Sequence, residues 1–167
     1  AQRWVLKAPH YNGSEDSILT IFPDAKFIIT HRNPLKVASS LPSLYANFLK
    51  AYSDVDWNDI VGPMALNGLI GLMQLHLSIR ENKPNIEFLD INYSQLTRDI
   101  EPVIEQIYQH VGIPLSDESR ARMLHWNNNN TQHKLGVHQH TLDDFSLNKA
   151  LVETSLAGYI KAFSQYF

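Results

Sequence analysis

The stretch Lys26-Phe27-Ile28-Ile29-Thr30-His31-Arg32-Asn33-Pro34 decides how this chain folds. Its apolar run, Lys26 to Thr30, follows Pro23-Asp24 and reads as a short strand. Asn33 then stands where a side chain can cap a helix, and Pro34 suits a first helical position, because the amide it lacks has no partner there. The helix that opens this way reaches toward Tyr52, with Pro42 expected to bend it.

Two more apolar runs resemble the first, at Arg3 to Lys7 and at Ile86 to Ile91. Each is separated from the next by longer segments with helical spacing, and that alternation predicts βαβ units. The expected fold class is therefore α/β, a short parallel sheet flanked by helices. Ligands of such sheets sit at the carboxyl ends of the strands, so the residues just after each strand matter most. Ser14, Glu15 and Asp16 read as the cap and acidic first turn of a helix through Phe22. Ile100 to Val111, closed by Gly112 and Pro114, and Asp117 to Trp126 are further helices. Asn127 to Gly136 reads as a polar loop, and Leu147 to Phe163 as one final amphipathic helix.

With 167 residues, 44% hydrophobic and 19% charged, the chain has the composition of one globular domain with a sizeable core. A net charge of -3 offers no general attraction to nucleic acid or anionic lipid, so phosphate binding must rest on a few placed residues. The absence of cysteine excludes disulfides and thiolate zinc sites. It is compatible with any redox compartment, and a cytoplasmic location is expected. The segment from residue 60 to residue 79 carries no Asp, Glu, Lys or Arg and is long enough to span a bilayer. Pro63, Asn67, Gln74, His76 and three glycines argue instead for a helix buried inside a soluble α/β domain, with no membrane span. The first residues lack a secretory apolar run and read as a strand already under way, so a preceding segment is expected.

A cation at a strand end, beside the unsatisfied amides of a helix N-terminus, is a ready anion site. Arg32 is that cation. Ser40, two turns into the helix, can reach an anion lying along the helix flank, while the arginine fork can hold phosphate oxygens in a bidentate way. The bare pattern is equally satisfied by Arg32 paired with an acidic neighbour and Ser40 facing solvent.

Here a resemblance enters. RWVLKAPH and FPDAKFIITHRNPLKVASS, with its arginine-to-serine interval, are similar to the two strand-loop-helix segments of the sulfotransferase family. FLDINYSQLTRDIEPVIEQIYQHVGIPLS resembles that family's strand-tyrosine-helix region. HQHTLDDFSLNKALVETSLAGYIKAF resembles the C-terminal end of its bacterial, poorly characterised branch. The resemblance implies an incomplete P-loop-NTPase-like sulfotransferase fold. It also implies 3′-phosphoadenosine 5′-phosphosulfate as cosubstrate, no metal, and a small-molecule, glycan or lipid acceptor. On it, Arg32 and Ser40 hold the donor's 3′-phosphate and Tyr93 lies near the adenine, a role that suits a flat ring with a phenolic hydrogen bond. As plain chemistry, a tyrosine after a strand is as readily a half-buried packing residue.

Sulfuryl transfer needs a base for the acceptor's proton and cations to spread the transferring charge. Lys7 occupies the family's lysine position, and His10 is the candidate base. The cytosolic members place their histidine two positions after the lysine, across a threonine, whereas Pro9 stands there in this chain. Lys7 also reads as an ordinary solvated strand-end charge, and His10 as a surface histidine. His31 is expected to pack or hydrogen-bond locally, outside the site. The histidines 125, 133, 138 and 140 lack metal-ligand spacing. By resemblance to the bacterial branch, His138 would border the cofactor. The family's phosphosulfate-wrapping loop, with a basic residue, Ser, Gly and Thr, has no counterpart around Gly13, so an N-terminal truncation is expected. Two other readings stay open: a non-catalytic adenosine-bisphosphate module, and a kinase-like transferase, which would want the missing GxxxxGK[ST] motif. An incompletely covered helix 60–79 would also favour self-association.

Overall fold

In the computed structural model, residues 3–131, 136 and 139–167 are described. The strand at the decisive stretch forms as β1, Phe27–His31, and the run near Ile86 forms as β2, Phe88–Asn92. They pair in parallel, with Phe27 opposite Phe88 and His31 opposite Asn92. The phenyl rings of Phe27 and Phe88 meet at 5.5 Å and Lys26 reaches Glu87 at 3.1 Å, so the register is held at the amino ends by one apolar and one charged cross-strand pair.

A parallel pair needs a long crossover. Two helices supply it, α2 over Pro34–Lys50 and α3 over Asn58–Asn82. Pro42 lies inside α2, buried, without ending it. Before the sheet comes α1, Glu15–Ile21; after it come α4, Tyr93–Arg98, α5, Ile100–His110, and α6, Asp117–Asn129. Gly112 stands just past α5 with φ 65°, the left-handed turn that a residue without Cβ adopts freely.

The core lies where α2 and α3 meet the C-terminal helices. Ala38, Leu66, Leu69, Leu147, Val152 and Leu156 form its main cluster, and Ala46, Val61 and Phe145 a second. Gly62 lets α3 press against the 143–145 turn: a Cβ there would lie 1.9 Å from the Phe145 carbonyl oxygen.

Three expectations are corrected. Arg3 to Lys7 is not a strand: the described part of this segment is exposed coil, with Trp4 81% and Val5 92% accessible. The sheet of the described residues has two strands, and an apolar run becomes a strand only where a neighbour takes up its backbone groups. The predicted final helix is two, α7 over Lys149–Ser155 and α8 over Ala157–Phe163, broken at Leu156. Leu147 precedes them as a buried core residue in a loop. Lastly, α3 is buried along one face only. It is long and apolar enough to cross a membrane, and a third of its most apolar window is buried. Val61, Ala65, Leu66, Leu69 and His76 face inward, while Ile60, Met64 and Leu75 remain exposed. Residues 132–135 of the expected 127–136 loop lie outside the described residues, and Asn127 to Asn129 extend α6 instead of belonging to a loop.

Candidate functional site

The carboxyl ends of the two strands are built alike. Each strand runs into an asparagine whose side chain caps the next helix. Asn33 Oδ1 accepts from the Leu35 amide at 2.9 Å, and Asn92 Oδ1 accepts from the amides of Ser94 and Gln95 at 2.7 and 3.3 Å. Because His31 is paired with Asn92, the residues that follow them leave the sheet side by side. These are Arg32 and Tyr93, and the Arg32 guanidinium carbon stands 4.9 Å from the centre of the Tyr93 ring.

Both residues are half-buried. Among the described residues no carboxylate pairs with Arg32, so the acidic-neighbour alternative does not describe this structure. Ser40, on α2, is half-buried too. Its neighbour Ser39 is the serine engaged by the protein: its hydroxyl donates to the Lys36 carbonyl at 3.3 Å and lies 3.1 Å from His140 Nδ1.

One expectation about this corner is corrected. The α2 N-terminus offers no set of unsatisfied amides. Pro34 has none, Leu35 donates to the Asn33 side chain, and Lys36 and Val37 donate to the Asn33 carbonyl at 3.0 and 3.2 Å. Any anion here would be held by side chains, with the helix adding only its dipole.

Lys7 and His10 stand apart from this corner in their bonding. Lys7 lies in exposed coil and His10 in a short turn over Pro9–Tyr11, also exposed. No hydrogen bond or ion pair among the described residues joins either to the Arg32–Tyr93 pair. The segment that carries them is anchored just downstream. Gly13, at φ 83°, sits so close to α3 that a Cβ would fall 2.4 Å from the Leu75 side chain. Ser14 holds the cap position of α1 but makes no side-chain capping bond. Glu15, expected as a first-turn acid facing the helix dipole, is instead buried, 1% exposed, with Oε1 2.9 Å from His76 Nδ1.

Glu15 opens a buried network that motif reading missed. The Arg80 Nε–H donates to His76 Nε2 at 2.8 Å, which requires a lone pair on that nitrogen. His76 is therefore neutral, with its proton on Nδ1 and directed at Glu15. The two terminal nitrogens of Arg80 hold both oxygens of Asp90, while its guanidinium lies over the rings of Phe88 and Phe163 at 4.2 and 4.8 Å. Asp90 also receives His31 Nε2 at 2.7 Å, and His31 Nδ1 meets the Tyr159 hydroxyl at 2.7 Å. Burial pushes the Asp90 carboxyl up, but the hydrogen bonds from His31 and Arg80 and the charge of Arg80 outweigh it and hold the group below its ordinary value. Burial, and then the charge of Asp90, push the Tyr159 phenol well above its ordinary value. His31 packs and hydrogen-bonds, but with partners distant in sequence, Asp90 and Tyr159, and not locally as expected.

Of the other histidines, His125 is exposed and meets Asn129 at 3.1 Å, His140 is half-buried against Ser39, and His133 and His138 lie outside the described residues. No cluster suited to a metal occurs among the described residues.

The crystal structure of sulfotransferase STF9 from Mycobacterium avium matches with a TM-score of 0.83 and 27% identity, over 96% of this chain and 41% of that one. The chain thus spans about two-fifths of the length of that sulfotransferase. Comparison with curated protein sequences gives no significant match. The sequence pattern of the sulfotransferase family covers residues 1–117, which takes in the N-terminal segment, both strands and the Arg32–Tyr93 corner. The chain belongs to the sulfotransferase family.

Proposed function

We propose that this chain carries the 3′-phosphate-holding part of an enzyme that moves a sulfuryl group from 3′-phosphoadenosine 5′-phosphosulfate to a hydroxyl or amine acceptor. The observation that carries the reading is Arg32: half-buried, without a carboxylate among the described residues, and laid over Tyr93 where two parallel strands end. A guanidinium in that setting is free to take two phosphate oxygens, and the adjacent phenol ring offers a face to a purine. Ser40 adds a hydroxyl on the flank of α2.

In the reaction, the acceptor oxygen or nitrogen attacks sulfur in line, the bond from sulfur to the 5′-phosphate oxygen breaks, and adenosine 3′,5′-bisphosphate leaves. His10 takes the acceptor's proton and Lys7 steadies the oxygens of the transferring or leaving group. The acceptor is a small molecule, a glycan or a lipid, and no metal is required. On the resemblance to cytosolic members, the reaction takes place in the cytoplasm.

Calorimetric titration with adenosine 3′,5′-bisphosphate tests the clamp, with adenosine 5′-monophosphate and Arg32→Ala as controls. Saturable binding, weakened about tenfold or more by loss of either the 3′-phosphate or Arg32, is the expected result. Equal binding of the two nucleotides would remove the 3′-phosphate from the reading.

A second reading is favoured by the exposure of Lys7 and His10 and by the lack, among the described residues, of a bond joining them to Arg32. In it the chain is a non-catalytic adenosine-bisphosphate module. It predicts binding that does not change in His10→Ala, and no sulfuryl transfer from the donor to phenol or amine acceptors.

A further inference from the structure

His31 is fully enclosed at the last position of β1. An aliphatic side chain would fill such a place at less cost, since a buried polar ring is tolerated only when its nitrogens are bonded. Both are. Asp90, an acceptor held by Arg80 from the other side, fixes a proton on His31 Nε2. The Tyr159 phenol, kept protonated by burial, donates to the lone pair on Nδ1. The ring is stacked on Phe163 at 4.3 Å and on Tyr166 at 5.0 Å. It cannot turn without breaking two buried hydrogen bonds and two stacks.

The geometry points to His31 as the positioning residue of the anion clamp: pinned at both ring nitrogens, it fixes the end of β1 and so aims Arg32 over Tyr93. The inference rests on the reading of Arg32 as the residue that holds the 3′-phosphate. It assigns His31 no contact with the ligand. A buried ring bonded at both nitrogens defines one orientation where an apolar side chain would allow several. The orientation defined here is that of a backbone whose next side chain is the half-buried cation.

The test separates aim from stability. Proton NMR of the chain without ligand reads the ring-current shift that Tyr93 imposes on the Arg32 side chain. Calorimetry reads the preference for adenosine 3′,5′-bisphosphate over adenosine 5′-monophosphate. His31→Phe keeps the stack and loses both bonds. It should abolish the Arg32 shift and cut the preference about tenfold. His31→Gln, which can restore a donor to Asp90, should recover part of both. Val152→Ala, in the main core cluster, lowers stability away from the sheet end and should leave both unchanged. Should His31→Phe fail to fold, Tyr159→Phe removes the bond to Nδ1 alone and should displace the Arg32 signals by a smaller amount. An unmoved Arg32 shift in the folded His31 or Tyr159 variant overturns the inference, as does an equal response to Val152→Ala. A wild-type chain with shifted Arg32 signals but no 3′-phosphate-dependent binding would instead sink the proposed function and leave the positioning role standing.

Discussion

His10 and Glu15 are close neighbours in sequence, yet they belong to opposite kinds of environment. The segment up to Gly13 is largely exposed, and among the described residues no hydrogen bond or ion pair holds the side chains of Lys7 and His10. From Glu15 onward the charges run inward, each consumed by the next: Glu15 by His76, His76 by Arg80, Arg80 by Asp90, Asp90 by His31. Arg32 stands at the boundary. Its sequence neighbour His31 is locked into the buried set, while its own guanidinium lies over the Tyr93 ring with no carboxylate partner among the described residues. The contrast separates two uses of polar residues: those paired internally set geometry, and, on the proposed reading, Arg32 is left for a ligand.

The sharpest way to break that comparison is at its centre. Arg80→Met removes the cation while keeping volume, and leaves Asp90 without its charged partner and His76 Nε2 without a donor. It should cost about 3 kcal/mol in urea denaturation, since half of a buried pair is worse than none. A loss below about 1 kcal/mol would mean the network is well solvated and does not organise the fold. Glu15→Gln comes next. It keeps an oxygen for His76 but buries an amide where one carboxylate oxygen, Oε2, already lacks a partner, and should cost about 2 kcal/mol.

Acid sharpens the comparison further. The Asp90 carboxyl is held below its ordinary value of 3.8 in the folded chain, so near that pH the unfolded chain binds more protons. The stabilisation it contributes is present above the unfolded value and is lost as pH falls through the folded one. The gap in urea midpoint between wild type and Asp90→Asn should therefore narrow as pH is lowered from about 6 to about 2.5. A constant gap would show that Asp90 stabilises by shape and not by charge. The smallest effect belongs to the open segment. Lys7→Ala and His10→Ala should each change stability by less than about 0.5 kcal/mol, and a larger loss would place them inside the fold.

Much of the framework was legible because local chemistry announces it. Asn33-Pro34 marks a helix start wherever it occurs, and Gly112 with Pro114 marks a stop. Arg32 and Tyr93 were legible as strand-end residues, but the register that sets them side by side came only from the structure. What escaped reading depends on partners far away in the chain. Arg3 to Lys7 has the pattern of a strand, but pattern does not say whether a neighbouring strand exists to pair with it. Glu15 sits where a helix prefers an acid, so its burial against His76 left no trace in the sequence. The free amides expected at α2 were consumed by the very residue, Asn33, that announced the helix.

The bond between His31 and Tyr159 spans 128 residues. A chain made from its N-terminus therefore produces β1 long before the phenol and the rings of Phe163 and Tyr166 that enclose its last residue. With synthesis at about 5 to 20 residues per second, the strand end waits on the order of ten seconds for its cover. During that interval Arg32 is present but not aimed. A nascent chain halted after α6 would own every residue of the candidate clamp and still lack its geometry. On the proposed reading, the clamp reaches its geometry only once α8 and the rings beyond it have packed over the end of β1.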